Sequence, residues 1–380
     1  MNVVETLGET LEQRPETTAP DRAREGPEPV LKVENLRVSF TRHSHTVNAV
    51  NGLNYELHAG KTLAIIGESG SGKSVSVRSL MRLLPPSAEI TGSAILDGVE
   101  LVGVGEKKLR EIRGQDIAMI FQDPAASLNP TMSIGDQIIE AVRMHKPMKR
   151  AVAIEKALEL LKLVRLPSPE KRLKQYPHQL SGGMRQRVVI AIALAQDPQV
   201  LIADEATTAL DVTTQAQIME LLVDIQERLG TAVIMISHDI GLAANYAHDI
   251  MVMYAGKAVE HAEARTLFGK VRMPYTKALL GAIPQLTTQP HSQLTVIGGH
   301  PPDLSNLPPG CAFAPRCPLA TEVCTSEEPA LLEHEPGHRF ACWNPVNGRA
   351  LQAKGPEDPV NVEVQEAGEA PDAEVKGENS

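Results

Sequence analysis

Eight consecutive residues, Gly67-Glu68-Ser69-Gly70-Ser71-Gly72-Lys73-Ser74, have the composition of a cradle for a polyphosphate. Their glycines let successive backbone N–H groups turn inward around a β-phosphate, and a helix starting at the loop's end adds positive potential. Lys73 can reach the β- and γ-phosphates, and the Ser74 hydroxyl can ligate Mg²⁺. A second centre is acidic: the apolar run Val200-Leu201-Ile202-Ala203 ends in Asp204-Glu205. There Asp204 is expected to hold the metal through water, and Glu205 to orient or deprotonate an attacking water. A third, Leu180-Ser181-Gly182-Gly183-Met184-Arg185-Gln186, is another glycine-bearing helix start. One phosphate group does not need two such starts in one chain. A dimer in which each protomer's second motif closes over the other's ATP accounts for both.

The elements that must position these residues are legible around them. The apolar run Thr62-Leu63-Ala64-Ile65-Ile66 predicts a buried strand before the phosphate loop, and 75–84 predicts a helix after it. Alternation in Leu31-Lys32-Val33-Glu34-Asn35-Leu36 predicts strands across 30–50, and Ile95-Leu96-Asp97-Gly98 a strand and turn. Ile117-Ala118-Met119-Ile120-Phe121 predicts a buried strand ending at Gln122. Residues 127–176 are mostly helical by pattern, most strongly at 151–163. Strand–helix units follow at 200–203 into 213–229 and at 231–237 into 240–247. This alternation predicts an α/β fold with a largely parallel, doubly wound sheet, its ligands at the strands' carboxyl ends. Each motif named above sits at such an end.

Composition narrows the class. The chain has 380 residues, 42% of them hydrophobic but only 3% aromatic, so its core is aliphatic. No apolar run approaches the ~20 residues of a bilayer span. Residues 1–29 are polar with no apolar signal core, which predicts a disordered tail and a cytoplasmic protein. Net charge is −10; residues 351–380 hold eight acids and two lysines and supply −6 of it. No global basic surface is available for nucleic acid.

The order of phosphate loop, Gln122, signature-like segment, Asp204-Glu205, Asp211 and His238 resembles an ATP-binding cassette (ABC) ATPase over roughly 30–265. Phe121-Gln122-Asp123-Pro124 resembles the Q-loop, Ala209-Leu210-Asp211 the D-loop, and Ser237-His238-Asp239 the switch-histidine segment. The resemblance implies a RecA-like core with a helical subdomain between Q-loop and signature. It implies that Gln122 joins the Mg²⁺ and water network and that His238 contacts the γ-phosphate. It also implies that Ser181, Gly182, Gly183 and Gln186, with Asp211 nearby, serve the partner's ATP. The family's adenine-stacking aromatic is missing from its usual place, leaving His45, His43 and Phe40 as candidates.

All four cysteines, Cys311, Cys317, Cys324 and Cys342, fall in one loop-rich segment, spaced x5, x6 and x17. The pairs Cys-x2–4-Cys of structural zinc are absent. Four thiolates here suit an iron–sulfur cluster, such as [4Fe-4S], with zinc or free buried thiols as alternatives. Met273-Pro274-Tyr275-Thr276-Lys277-Ala278-Leu279-Leu280, Gly298-Gly299-His300-Pro301-Pro302 and Cys311-Ala312-Phe313-Ala314-Pro315-Arg316-Cys317-Pro318 resemble the C-terminal extension of oligopeptide and dipeptide importer ATPases. This implies units at 1–29 (tail), 30–265 (ATPase), 266–347 (extension) and 348–380 (acidic tail). It also implies a second ATPase subunit, identical or homologous, two membrane-spanning permease subunits and, indirectly, an extracytoplasmic solute-binding protein. The place would be the cytoplasmic face of the membrane. A soluble cassette ATPase acting on nucleic acid or ribosomes is the alternative.

Overall fold

The computed structural model describes residues 28–42, 45–208, 210–282 and 297–348. The tails expected to be disordered lie almost wholly outside the described residues, as do His43 and Ala209. Two sheets form the body. An antiparallel sheet in the order β2-β1-β4-β5 is built from β1 (Leu31–Arg42), β2 (His45–Leu57), β4 (Ala88–Leu96) and β5 (Val99–Glu100). Asp97 and Gly98, both at positive φ, make the tight turn between its last two strands.

The larger sheet carries the chemistry. Its parallel centre is β9 (Asp249–Tyr254), β3 (Thr62–Ile66), β8 (Ala232–Ser237), β7 (Val200–Asp204) and β6 (Ile117–Ile120), in that order. Strands β3, β6, β7 and β8 are buried at every residue, as strands covered on both faces must be. Their side chains alternate between two cores: Ala64 and Ile66 join the helical side, Leu63 and Ile65 the side facing the antiparallel sheet. The expected doubly wound arrangement is present.

Beyond β9 the sheet turns antiparallel through β10 (Lys257–Glu263), β12 (His338–Phe340) and β11 (Leu332–Glu335). The C-terminal region therefore extends the larger sheet instead of standing apart from it. Glu260 on β10 and His338 on β12 are both fully buried, with His338 Nε2 2.9 Å from Glu260 Oε1. The Arg272 N–H donates to the same oxygen at 2.7 Å.

Between β6 and β7 the chain is helical, as expected, over Pro124–Ser127, Ile134–Arg143, Arg150–Leu163 and Pro169–Arg172. Ser133 caps the second of these by accepting the Asp136 N–H. The buried Ile138, Ile139, Val142, Ala153, Ala157 and Leu161 pack this subdomain onto the helix Gly182–Ala193. No helix among the described residues is long and apolar enough to cross a membrane.

Candidate functional site

The loop after β3 is shaped by glycines held at positive φ, two of them against neighbouring backbone. Gly67 has φ +149°, and a Cβ there would lie 2.2 Å from the Met253 carbonyl oxygen. Gly72, at φ +100°, precedes the helix Lys73–Leu80, and its Cβ would meet the Ala49 carbonyl at 2.3 Å. Gly70 has φ +80° and open space beside it, so there the need is conformational.

Hydrogen bonding in the loop leaves donors free. The Glu68 N–H donates to Tyr275 Oη at 2.8 Å, and the Ser71 N–H to the Glu68 carbonyl at 3.2 Å. The N–H groups of Ser69, Gly70, Gly72, Lys73 and Ser74 find no acceptor among the described residues. The Ser71 hydroxyl is buried without a partner among the described residues. Unpaired donors gathered at one helix start are what an anion needs. Lys73 is 5% exposed, and its Nζ donates to the carbonyls of Gly67 (2.7 Å) and Glu68 (2.9 Å). Burial holds its pKa below the ordinary lysine value, against the opposing pull of Glu205, Asp204 and Glu68.

The acids close the other side. Asp204, 1% exposed at the end of β7, accepts from Ser74 Oγ at 2.7 Å and from Arg78 Nε and a terminal nitrogen at 3.0 and 2.8 Å. Ser74 and Asp204, both expected at Mg²⁺, are therefore in direct contact. Arg78 was not anticipated. It stands one helical turn after Ser74, so periodicity from the loop was the available signal. Glu205 follows at φ +51°, its N–H bonded to the Ile236 carbonyl at 3.1 Å. Gln122 Nε2 donates to Glu205 Oε2 at 2.7 Å, joining the ends of β6 and β7. His238, just past β8, is exposed.

Ser181, Gly182 and Gly183 belong to a different surface. The Ser181 hydroxyl accepts the Met184 N–H at 3.4 Å as the helix cap. A Cβ on Gly183 would come within 2.6 Å of Thr214 Cγ2, and one on Gly182 within 3.6 Å of Leu210. Asp211 caps the helix Val212–Leu229, accepting from the Thr214 N–H at 3.0 Å and its hydroxyl at 2.8 Å. These bonds lower its pKa. Signature and D-loop segments are thus packed together, with none of these contacts reaching this chain's own phosphate loop. Gln186 departs from its expected place: its side chain is fully buried and neither amide atom has a partner among the described residues, so it does not share the exposed surface.

Of the adenine candidates, Phe40 is part-buried against the core and pairs with Val47, whereas His45 is exposed at the start of β2.

The four cysteines line one cavity, together with Met273, Pro274 and Phe313. None forms a disulfide. Burial raises the pKa of Cys311 and Cys317 and pushes Cys342 up to about 12. Among the described residues no group of three or more His, Cys, Asp or Glu side chains is placed to hold a metal ion. A closed four-ligand zinc site, with bonds of about 2.0–2.3 Å, is therefore not present, and no assembled ligand set for a cluster is seen.

Residues 50–208 match the ABC transporter family, and residues 259–324 the C-terminal region of oligopeptide/dipeptide transporters. The dipeptide transport ATP-binding protein DppD of Bacillus subtilis is 51% identical over 318 residues, 83% of this chain and 95% of that protein. The oligopeptide transport ATP-binding protein OppD of Escherichia coli K12 is 47% identical over 331 residues, 87% and 98% of the two chains. A dimeric post-hydrolysis structure of the ATP-binding cassette MJ0796, bound to ADP and Pi, superposes with a TM-score of 0.56 at 28% identity. That match covers 62% of this chain and 98% of the other.

Proposed function

The chain belongs to the ATP-binding proteins of the oligopeptide and dipeptide ABC transporters, and we propose that it hydrolyses ATP to energise peptide import. The observation that carries the site reading is the phosphate loop itself. Its five N–H groups and Ser71 hydroxyl, without partners among the described residues, lie beside a lysine that feels both Asp204 and Glu205.

The resting contacts define what ATP must change. Lys73 leaves the Gly67 and Glu68 carbonyls for the β- and γ-phosphates, and the free N–H groups close on the β-phosphate. Ser74, Asp204 and Gln122 would hold Mg²⁺, which would supply positive charge to the phosphates. Glu205, oriented by Gln122, takes the proton of the attacking water, and His238 steadies the γ-phosphate. Ser181, Gly182 and Gly183 of a second ATPase subunit complete the site, with Asp211 beside them. ATP binding closes this sandwich; hydrolysis and product release reopen it.

Gln122 links Glu205 to the helical segment that follows it, so the nucleotide state reaches the surface where two permease subunits dock at the cytoplasmic face of the membrane. A solute-binding protein outside the membrane delivers the cargo. Cys311, Cys317, Cys324 and Cys342 would hold an iron–sulfur cluster if their thiols draw together across the cavity they share. Four thiols on one cavity support this reading, and cluster assembly would supply the deprotonation that burial resists.

Anaerobic purification from the native cell, with iron, sulfide and zinc assays and identification of copurifying chains, tests both parts. Iron with sulfide, a second ATPase and two membrane proteins is expected. Zinc or no metal would remove the cluster, and the absence of membrane partners would remove the importer assignment.

A further inference from the structure

The C-terminal region grips the first turn of the phosphate loop. Arg316, one residue before Cys317, has a side chain only 5% exposed. Its two terminal nitrogens donate to the two carboxylate oxygens of Glu68 at 2.7 and 2.9 Å. Its Nε donates to the Gly298 carbonyl at 2.8 Å, and one terminal nitrogen also reaches Tyr254 Oη at 3.2 Å. Meanwhile Tyr275 Oη accepts the Glu68 N–H at 2.8 Å. Glu68 is thus held by side chain and backbone from the C-terminal side, while its carbonyl accepts from Lys73.

These same residues abut the cysteines. Tyr254, Tyr275 and Phe313 pack as a trio with ring centroids 4.5 to 5.3 Å apart, and the Arg316 guanidinium lies 5.9 Å from the Phe313 ring centre. Phe313 and Pro274, the neighbour of Tyr275, line the cysteine cavity. Contacts therefore run without a break from the thiols through Phe313 and Arg316 to Glu68 and Lys73. A bidentate guanidinium–carboxylate pair fixes orientation as well as distance, so a shift of the cavity wall is passed to the loop.

We propose that Arg316 and Tyr275 are positioning residues for ATP: they hold Glu68, and through it the phosphate loop, in its binding shape, and make ATP affinity depend on the packing of the cysteine cavity. The proposal rests on reading 67–74 as the ATP cradle. Because coupling between sites is reciprocal, ATP must in turn alter thiol accessibility.

The test uses the complete transporter and compares Arg316→Met, Tyr275→Phe, Glu68→Gln and the double variant Arg316→Met/Glu68→Gln. Arg316→Met is expected to raise the KM for ATP about tenfold, equivalent to about 1.4 kcal/mol, while kcat changes by less than about threefold. Tyr275→Phe keeps the ring packing and removes only the hydroxyl; its KM rises about threefold, which guards against a folding artefact. The double variant is no worse than Arg316→Met, since both remove one interaction. Attack on the cysteine cavity, read as maleimide labelling of free thiols or as loss of a bound cluster to an iron chelator, changes about threefold or more on adding MgATP in the parent and not in Arg316→Met. Unchanged KM, fully additive effects, or an ATP response of the thiols that survives in Arg316→Met would overturn the proposal. Lys73→Ala separates the two levels: retained ATP binding there overturns the cradle reading, whereas lost binding there with normal KM in the Arg316 and Tyr275 variants overturns the clamp alone.

Discussion

Replacing Glu205 by Gln isolates one atom's worth of chemistry. Gln122 Nε2 lies 2.7 Å from Glu205 Oε2, and a glutamine at 205 keeps an oxygen able to accept that bond. The left-handed backbone of residue 205 and its N–H bond to Ile236 are untouched. A bond to a charged acceptor becomes one to a neutral acceptor, so stability should fall by no more than about 1 kcal/mol. Loss of the base should slow hydrolysis by about 10²–10⁴-fold, or about 2.7–5.4 kcal/mol in the barrier. ATP binding should survive. Glu205 is one of three acids keeping the buried Lys73 charged, and the phosphates of ATP replace its contribution. The assay pairs single-turnover hydrolysis with equilibrium ATP binding and light scattering. Slow turnover with intact binding and a longer-lived ATP-bound dimer is expected. A hydrolysis rate within twofold of the parent would refute Glu205 as the base.

Two further outcomes follow from local geometry. Gly183→Val must displace Thr214, whose methyl would lie 2.6 Å from the new Cβ; ATP binding by the single subunit should be retained while ATP-driven dimerisation weakens at least about tenfold, as read by size-exclusion chromatography. His261 on β10 has its pKa lowered to about 4 by burial first and then by the charges of Arg339 and His338. A histidine whose folded pKa is depressed contributes stability that is complete above its ordinary value near 6.5 and lost as pH falls from there toward 4. Allowing for its partial exposure, the loss is about 2 kcal/mol, seen as a lower urea midpoint at pH 4.5 than at pH 7. That difference should shrink in His261→Gln.

What the sequence discloses and what it withholds divides along contact distance. The phosphate loop, Gln122, Asp204, Glu205 and the Ser181 cap are legible because each is a short run at a strand end or helix start. Their roles depend on local backbone shape. Even Arg78 was within reach, four residues from Ser74 on the same helix. The Glu68–Arg316 pair was not, since its partners are separated by 248 residues and neither segment alone suggests it. Gln186 illustrates the opposite failure: proximity in sequence to Ser181 and Gly183 suggested a shared surface, but it stands on the buried side of the helix. Strands β9 and β10 are not predicted above; β10 buries Ala258, Glu260 and Ala262 while Val259 is only partly buried, so its burial alternates without a matching alternation of apolar residues.

The placement of β12 explains why the C-terminal region can influence the nucleotide at all. A domain on a flexible tether would feel ATP only weakly. Here β12 hydrogen-bonds to β10, β10 to β9, and β9 lies beside β3, the strand that leads into the phosphate loop. The buried Glu260–His338 contact pins the β10–β12 register. Removing one partner would leave the other polar group buried and unpaired, which costs more than the net gain from a satisfied bond. The cysteine region is therefore anchored twice, by sheet pairing at the far edge and by Arg316 and Tyr275 on Glu68. With both ends fixed, a change in cavity packing has little freedom to dissipate as tether motion and is transmitted to the loop. Peeling β12 away by substitution at His338 should loosen the second anchor along with the first, raising the KM for ATP even though His338 lies outside the site.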